Sequence, residues 1–351
     1  MRAAPHLARL PTTRRAASSS AVGLPTTRRA ASSAAVAFDV DGVLVRGGAT
    51  VPAAPGALKA LEAAGIPFLF MTNGGGTEEG ARAAGFARRF GVAVEPWQVC
   101  QSHTPMRALA ENHGDENVLL VGKKYGNLRE IAEAYGFRSA VTVEAFHAAF
   151  PLLYPDAPPV AGAPPPPDGW LERPFGAVLA MTDPLLWGRE LQVVCDVLRS
   201  GGVPAGDLGA GAPPAASQNV PLYSSCADFL YAAEHPAPRF GSGAFLTALD
   251  ATFAELAGSA LEKVDYGKPH AVSYDYVAAV LGDRAGGLDR VFMVGDNPLT
   301  DIAGAKRAGD PWSSILVESG MWRPGDDTGG ADAVVADVAA AVDVVLAFER
   351  G

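Results

Sequence analysis

The stretch AVAFDVDGVLV, residues 35–45, places Asp39 and Asp41 on either side of Val40, after an apolar run and directly before Gly42. Asp-Gly between alternating apolar residues is the signal of a hairpin with a type I′ turn, which would make both acids turn chemistry. The other reading ends a buried strand at Phe38 and delivers two carboxylates to the C-terminal edge of a sheet.

The following residues bear on the choice. PGALKALEAAG reads as a helix, with Pro55 near its start and Gly65 just past its end; IPFLFMT reads as a strand and EEGARAAGFARRFG as a second helix. Strand and helix alternating in this rhythm imply an α/β fold, a doubly wound parallel sheet with helices on both faces, and disfavour the hairpin. The middle is less regular. NVLLVG, GAVLAMT and PLYSS are strand candidates and RELQVVCDVLRSG a helix, interrupted by two Pro/Gly-rich loops at 154–169 and 201–217. The rhythm returns with GAFLTALDATFAELAG and VFMVGDNPLTDIAGAKRAG. A core split by an inserted unit of roughly 120 residues fits ordinary domain sizes.

Composition narrows the function. Apolar residues make up 48% of the 351, yet no uninterrupted run approaches the ~18 needed to span a bilayer, so a soluble body without a transmembrane segment is expected. The three cysteines (Cys100, Cys195, Cys226) lie far apart and suit neither a disulfide framework nor a zinc cage, and the six histidines show no ligand spacing. Residues 1–34 hold six arginines, many Ser, Thr and Ala, and no acid. That is the composition of a disordered, basic transit peptide, read as mitochondrial (matrix) with chloroplast as the alternative; an untargeted basic tail is the bland reading. Without those arginines the 28 basic residues fall to 22 against 38 acidic ones, a formal charge of −16 that disfavours nucleic acid as a partner.

Ligands of open parallel sheets bind beyond the carboxyl ends of the strands. Four loops there carry polar residues: Asp39 and Asp41; Thr72, Asn73 and Gly74-Gly75-Gly76; Lys268; and Asp296, Asn297 and Asp301. Each alone is ordinary turn chemistry. Together they supply what phosphoryl transfer needs: carboxylates suited to Mg²⁺, a hydroxyl, glycine-freed backbone N–H groups and an ammonium around phosphate oxygens, and an aspartate able to attack phosphorus.

In that order DVDGV, TNGGG, GKP and GDNPLTDIAGAKRAG resemble the four motifs of the haloacid dehalogenase (HAD) phosphatase superfamily, over residues 36–345. The resemblance implies a Rossmann-like core at 35–112 and 234–351 and an inserted α/β cap at 113–233, similar to the C2a cap of the NagD and phosphoglycolate or pyridoxal-phosphate phosphatase subgroup. LYAAEHPAPRFGSGAF together with GDNPLTDIAGA is similar to the mitochondrial cat-eye-syndrome-critical-region branch. It further implies Asp39 as nucleophile, Asp41 as general acid/base, Thr72 and Lys268 as phosphate ligands with Asn73 and Gly74 beside them, and Mg²⁺ on Asp39, the Asp41 carbonyl and Asp296. Asn297 and Asp301 would support that shell. Asn73-Gly74 replaces the subgroup's frequent Asn-Asn, and Cys226 stands where relatives tend to carry asparagine, which leaves the role of Asp228 open. Asp183, in the cap segment MTDP, is expected near the roof of the site, an ordinary turn being the rival reading.

These expectations describe a phosphatase acting on a small phosphorylated metabolite through an aspartyl-phosphate, with a link to mitochondrial glycerophospholipid or glycerol-phosphate metabolism implied by resemblance alone. A homodimer through the cap is among the expected assemblies. The rival is a catalytically idle HAD-like protein that acts as a binding partner or regulator.

Overall fold

A computed structural model describes residues 32–123, 127–200, 217–231, 235 and 237–351. The expected transit peptide lies, over residues 1–31, outside the described residues, and so does the Pro/Gly-rich stretch over residues 201–216. The described body starts before the expected boundary at residue 35. The Ser33 N–H and hydroxyl donate to the Glu349 carboxylate at 3.1 and 3.0 Å, and Ala34 is fully buried.

From β1 (Ala34–Phe38) the chain passes through the short strands β2 (Val45–Arg46) and β3 (Ala49–Thr50) to α1 (Ala54–Ala64), β4 (Phe68–Thr72), α2 (Glu79–Phe90) and β5 (Val99–Gln101). A 3-10 helix (Thr104–Leu109) and α3 (Ala110–His113) lead to β6 (Asn117–Val121), α4 (Leu128–Tyr135), β7 (Ser139–Thr142), α5 (Val143–Ala149), β8 (Phe175–Ala180), α6 (Trp187–Leu198) and β9 (Leu222–Ser224). Strands β10 (Leu230–Tyr231) and β11 (Arg239–Phe240) precede α7 (Ser242–Ala257), β12 (Lys263–Asp265) and α8 (Ala271–Ala285). Strand β13 (Arg290–Gly295), a π-helical turn (Pro298–Ile302), α9 (Ala303–Ala308), β14 (Trp312–Val317), β15 (Ala333–Val335) and α10 (Val338–Arg350) complete it.

Two parallel sheets result. The first runs in the order β15-β14-β13-β1-β4-β5. Its β1 and β4 are buried at every position, which follows from cover on both faces: Leu58, Leu61, Phe86 and Val342 pack on one side, Tyr274, Val277 and Leu281 on the other. The strand order reverses direction at β1, the switch point where such sheets open a crevice. Asp-Gly 41–42 is not a hairpin turn. The β2–β3 hairpin closes at Gly47-Gly48, and the loop before it is held by the Val40 carbonyl, which accepts from the Leu44 and Val45 amides at 3.0 and 2.9 Å.

The second sheet runs β12-β9-β8-β6-β7. The expected return to the core at residue 234 is corrected by it: β12 pairs in parallel with β9, and α7 buries Phe245, Leu246, Leu249 and Phe253 among Val178, Val193 and Leu222 of this layer. The inserted layer therefore extends to Asp265, two residues before Gly267-Lys268. The apolar period of α7 announces a helix but does not say which sheet it covers. No helix among the described residues is long and apolar enough to cross a membrane.

Candidate active site

Strand β1 ends one residue before Asp39, whose amide donates to the Val294 carbonyl at 2.9 Å, so the parallel register itself carries the side chain to the switch point. Asp39, Lys268, Asp296 and Asp301 are all buried. Lys268 Nζ lies 2.5 Å from Asp39 Oδ1 and 2.7 Å from Asp301 Oδ1. Asp301, in the π-helical turn, also takes the Asn297 N–H on Oδ2 at 3.1 Å. Asp296 Oδ2 accepts from the Met321 amide at 2.7 Å.

Gly42 and Gly320 flank the Asp296 carboxylate so closely that a β-carbon on either would overlap it. Gly42 has φ +89°, a conformation glycine adopts freely, so both backbone shape and proximity require it.

One carboxylate oxygen from each of Asp39, Asp296 and Asp301 lies within 4.8 Å of the others. One buried ammonium faces three carboxylates, and burial with the excess negative charge shows in the acidities of Asp39 and Asp296. Burial pushes the Asp39 carboxyl up to about 8, with Lys268 pulling it down and Asp301 and Asp296 repelling it upward. Burial and Asp301 push Asp296 up to about 6. Burial alone would lower the Lys268 ammonium, but Asp301 and Asp39 hold it well above its ordinary value. Crowded carboxylates of this kind take up protons or hold a cation, and an all-oxygen donor set suits a hard divalent ion. The residues present thus fit one.

Thr72 is buried at the end of β4, and its Oγ1 accepts the Gly74 N–H at 3.1 Å, which leaves the hydroxyl proton free to donate elsewhere. Asn73 joins three segments. Its Nδ2 donates to both Asp228 carboxylate oxygens at 3.2 Å and to the Lys268 carbonyl at 3.0 Å, while Oδ1 accepts the Lys268 N–H at 2.8 Å. Asp228 is therefore a partner of the loop after β4, a role its sequence context left open. Thr72, Asn73 and Lys268 line one small crevice.

A cavity of about 270 Å³ opens beside it, lined on the core side by Asn73, Gly74, Gly75 and Gly76 and on the cap side by Lys123, Asp183, Ser242 and Cys226. Asp183 is thus at the cavity, ion-paired to Lys123 at 2.6 Å and accepting from the Ser242 hydroxyl at 2.6 Å.

Two sequence-derived residues stand apart. The Asp41 side chain is exposed and outside the three clustered carboxylates. The Asn297 side chain caps the next turn through the Leu299 N–H, 2.9 Å away, and only its backbone meets Asp301. Three residues were missed. Lys123 lies sixty positions from Asp183, a pairing that spacing does not reveal. Arg82 on α2 lies in the field of Asp41, with its buried Nε unpartnered. His103 lies two residues past the end of β5, and that fifth strand end was the available signal.

Fold and site define an HAD-type hydrolase: a doubly wound parallel core with an inserted α/β layer over its carboxyl edge. The chain belongs to the haloacid dehalogenase-like hydrolase family, whose model matches residues 36–138, with an HAD-hydrolase-like model matching 265–341. It is 34% identical over 328 residues to a mitochondrial hydrolase of Saccharomyces cerevisiae, covering 83% of this chain and 88% of that protein. It is also 37% identical over 304 residues to a cardiolipin synthase (CMP-forming)/mitochondrial hydrolase fusion protein of Schizosaccharomyces pombe, covering 83% of this chain and 49% of the relative; the chain spans about half of that fusion's length. Among solved structures, the 4-nitrophenylphosphatase of Thermotoga maritima superposes with a TM-score of 0.62 at 20% identity, covering 89% of this chain and 96% of that one, a likeness of fold.

Proposed function

We propose that the protein is a Mg²⁺-dependent phosphatase that hydrolyses a small phosphate monoester through an aspartyl-phosphate on Asp39. The observation that carries this reading is the buried Asp39–Lys268 contact at the switch point, in a cluster with more carboxylates than cations. Mg²⁺ held by Asp39, Asp296 and the Asp41 carbonyl, with Asp301 in support, would neutralise the crowded charge and favour the ionised Asp39.

The chain's own groups account for the chemistry. The Asp39 carboxylate attacks phosphorus, and the Asp41 carboxyl gives its proton to the departing alkoxide. Asp41, now ionised, takes a proton from the water that cleaves the acyl phosphate, which returns both aspartates to their starting states. Lys268, the free Thr72 proton and the Asn73 N–H would bind the phosphate oxygens, with Gly74, whose N–H is held by Thr72 Oγ1, beside them. Lys123 and Asp183 would meet the leaving group. The cavity, about 270 Å³, is of a size for a small metabolite.

The fission-yeast fusion to a cardiolipin synthase supports a substrate linked to glycerophospholipid or glycerol-phosphate metabolism, and the relatives named as mitochondrial hydrolases support that location. The test is phosphate release from a panel of phosphorylated metabolites with and without Mg²⁺. Mg²⁺-dependent release is expected. No release from any substrate, beside tight binding to a protein, would favour the idle HAD-like protein.

A further inference from the structure

We infer that His103 is a positioning residue: its imidazole, oriented through Tyr135 by Glu79, holds the Gly74–Gly76 loop in the shape that the reaction proposed above requires. The inference deepens that reading and rests on it for its kinetic consequence, but the geometry stands alone.

Three adjacent glycines have more backbone freedom than any other run, and a loop built from them keeps one shape only if it is held. This one is held at three points. Thr72 Oγ1 takes the Gly74 N–H, Gln101 Nε2 donates to the Thr77 carbonyl at 2.6 Å, and His103 Nε2 accepts the Gly76 N–H at 3.0 Å. The His103 ring also packs against the loop, since a β-carbon on Gly75 would stand 2.7 Å from Cδ2.

The Gly76 contact decides the tautomer. An Nε2 that accepts carries no proton, so the neutral ring has its proton on Nδ1, which then donates to Tyr135 Oη at 2.9 Å. Tyr135 Oη in turn donates to Glu79 Oε1, an oxygen that also accepts from the Thr104 hydroxyl at 2.7 Å. Every donor in the chain points toward one carboxylate. Arg107 lies over the Tyr135 ring at 4.7 Å and 3.5 Å from Glu79 Oε1, a cation beside the carboxylate that ends the chain.

His103, Tyr135 and Glu79 are buried, so water does not substitute for these bonds. Burial pushes the His103 imidazole down to about 4, against Glu79 and with Arg82 and Arg107, and the ring stays neutral at physiological pH. Tyr135 ends α4 of the inserted layer, Glu79 begins α2 of the core, and His103 follows β5. The chain of bonds therefore ties the cap to the loop that floors the cavity.

The experiment uses the full chain, ¹⁵N-labelled for imidazole spectra, with the variants His103→Leu, His103→Gln and Tyr135→Phe. The wild-type spectrum should show Nδ1–H and a bare Nε2; an Nε2–H tautomer overturns the inference whether or not the protein turns over substrate. On p-nitrophenyl phosphate, His103→Leu should lower kcat/KM by roughly 10- to 100-fold, the order expected when a reacting group is misplaced, and weaken inhibition by inorganic phosphate in parallel. His103→Gln, which keeps an acceptor near Gly76, should recover most of the loss even where its Tm matches that of His103→Leu. Tyr135→Phe should give an intermediate loss and a mixed tautomer. Equal losses in the Leu and Gln variants, or losses that simply follow Tm, overturn the inference. A wild-type chain inactive on every phosphate ester would instead remove the phosphatase reading, with the tautomer still read from the spectrum.

Discussion

Lys268 Nζ lies 2.5 Å from Asp39 Oδ1 inside the protein, and the same ammonium reaches Asp301 Oδ1 at 2.7 Å. One cation thus joins carboxylates from two strand ends. Lys268→Met should strand both acids, and removing one partner of a buried pair typically costs about 3–5 kcal/mol. The deficit should be larger at pH 8 than at pH 5, where the stranded carboxylates take up protons. Urea denaturation at the two pH values measures it, and unchanged stability at pH 8 would show that the contact is not one the fold depends on.

Cation binding should compete with protons. The folded values of Asp39 and Asp296, about 8 and about 6, lie above the ordinary 3.8 of the unfolded chain. Without a cation their contribution to stability is full below 3.8 and is lost as pH rises through 6 and then 8. Mg²⁺ added to chelator-treated protein should therefore raise Tm more at pH 8 than at pH 6, and Asp296→Asn should abolish most of that rise. Equal shifts at the two pH values, or none, would contradict the three-carboxylate site.

Gly320→Ala tests the packing around Asp296. The new methyl would overlap the carboxylate, so Asp296 must swing away or the backbone must give. Inserting a methyl where none fits costs about 1–3 kcal/mol, and the Mg²⁺-induced rise in Tm should fall with it. A variant with wild-type stability and an unchanged response would show that Asp296 does not sit against Gly320.

Much of this site was legible in the sequence because parallel strands make it so. An apolar run that ends in a polar residue, followed by a helix, marks a strand end at one edge of the sheet, and β1, β4 and β13 all read that way. Other parts carry no such mark. Strand β5 is three residues long, VCQ, too short for a period, so the loop that holds His103 was not recognised as a fifth strand end. His103 acts through the amide of Gly76, and backbone amides leave no trace in residue identity. Lys123 and Asp183 meet only because β6 and β8 are adjacent in the second sheet. Asp301 was expected behind the cluster, yet its carboxylate stands among the three, since its π-helical turn brings it to Lys268.

The central claim is that Asp39 becomes phosphorylated and that Asp41 moves the protons. An Asp41→Asn enzyme should still be phosphorylated by p-nitrophenyl phosphate, whose phenolate leaves without help, and should then stall for want of the base that activates water. From an alkyl phosphate, phosphorylation should be slowed by about 10²–10⁴-fold, the usual worth of a general acid. The measurement is rapid acid quench of Asp41→Asn with each substrate, followed by mass spectrometry of the peptides. A phosphoryl adduct on Asp39 that accumulates in a burst with the aryl ester and not with the alkyl ester is the predicted result. An adduct on another residue, or no adduct while the aryl ester is still hydrolysed, would contradict it.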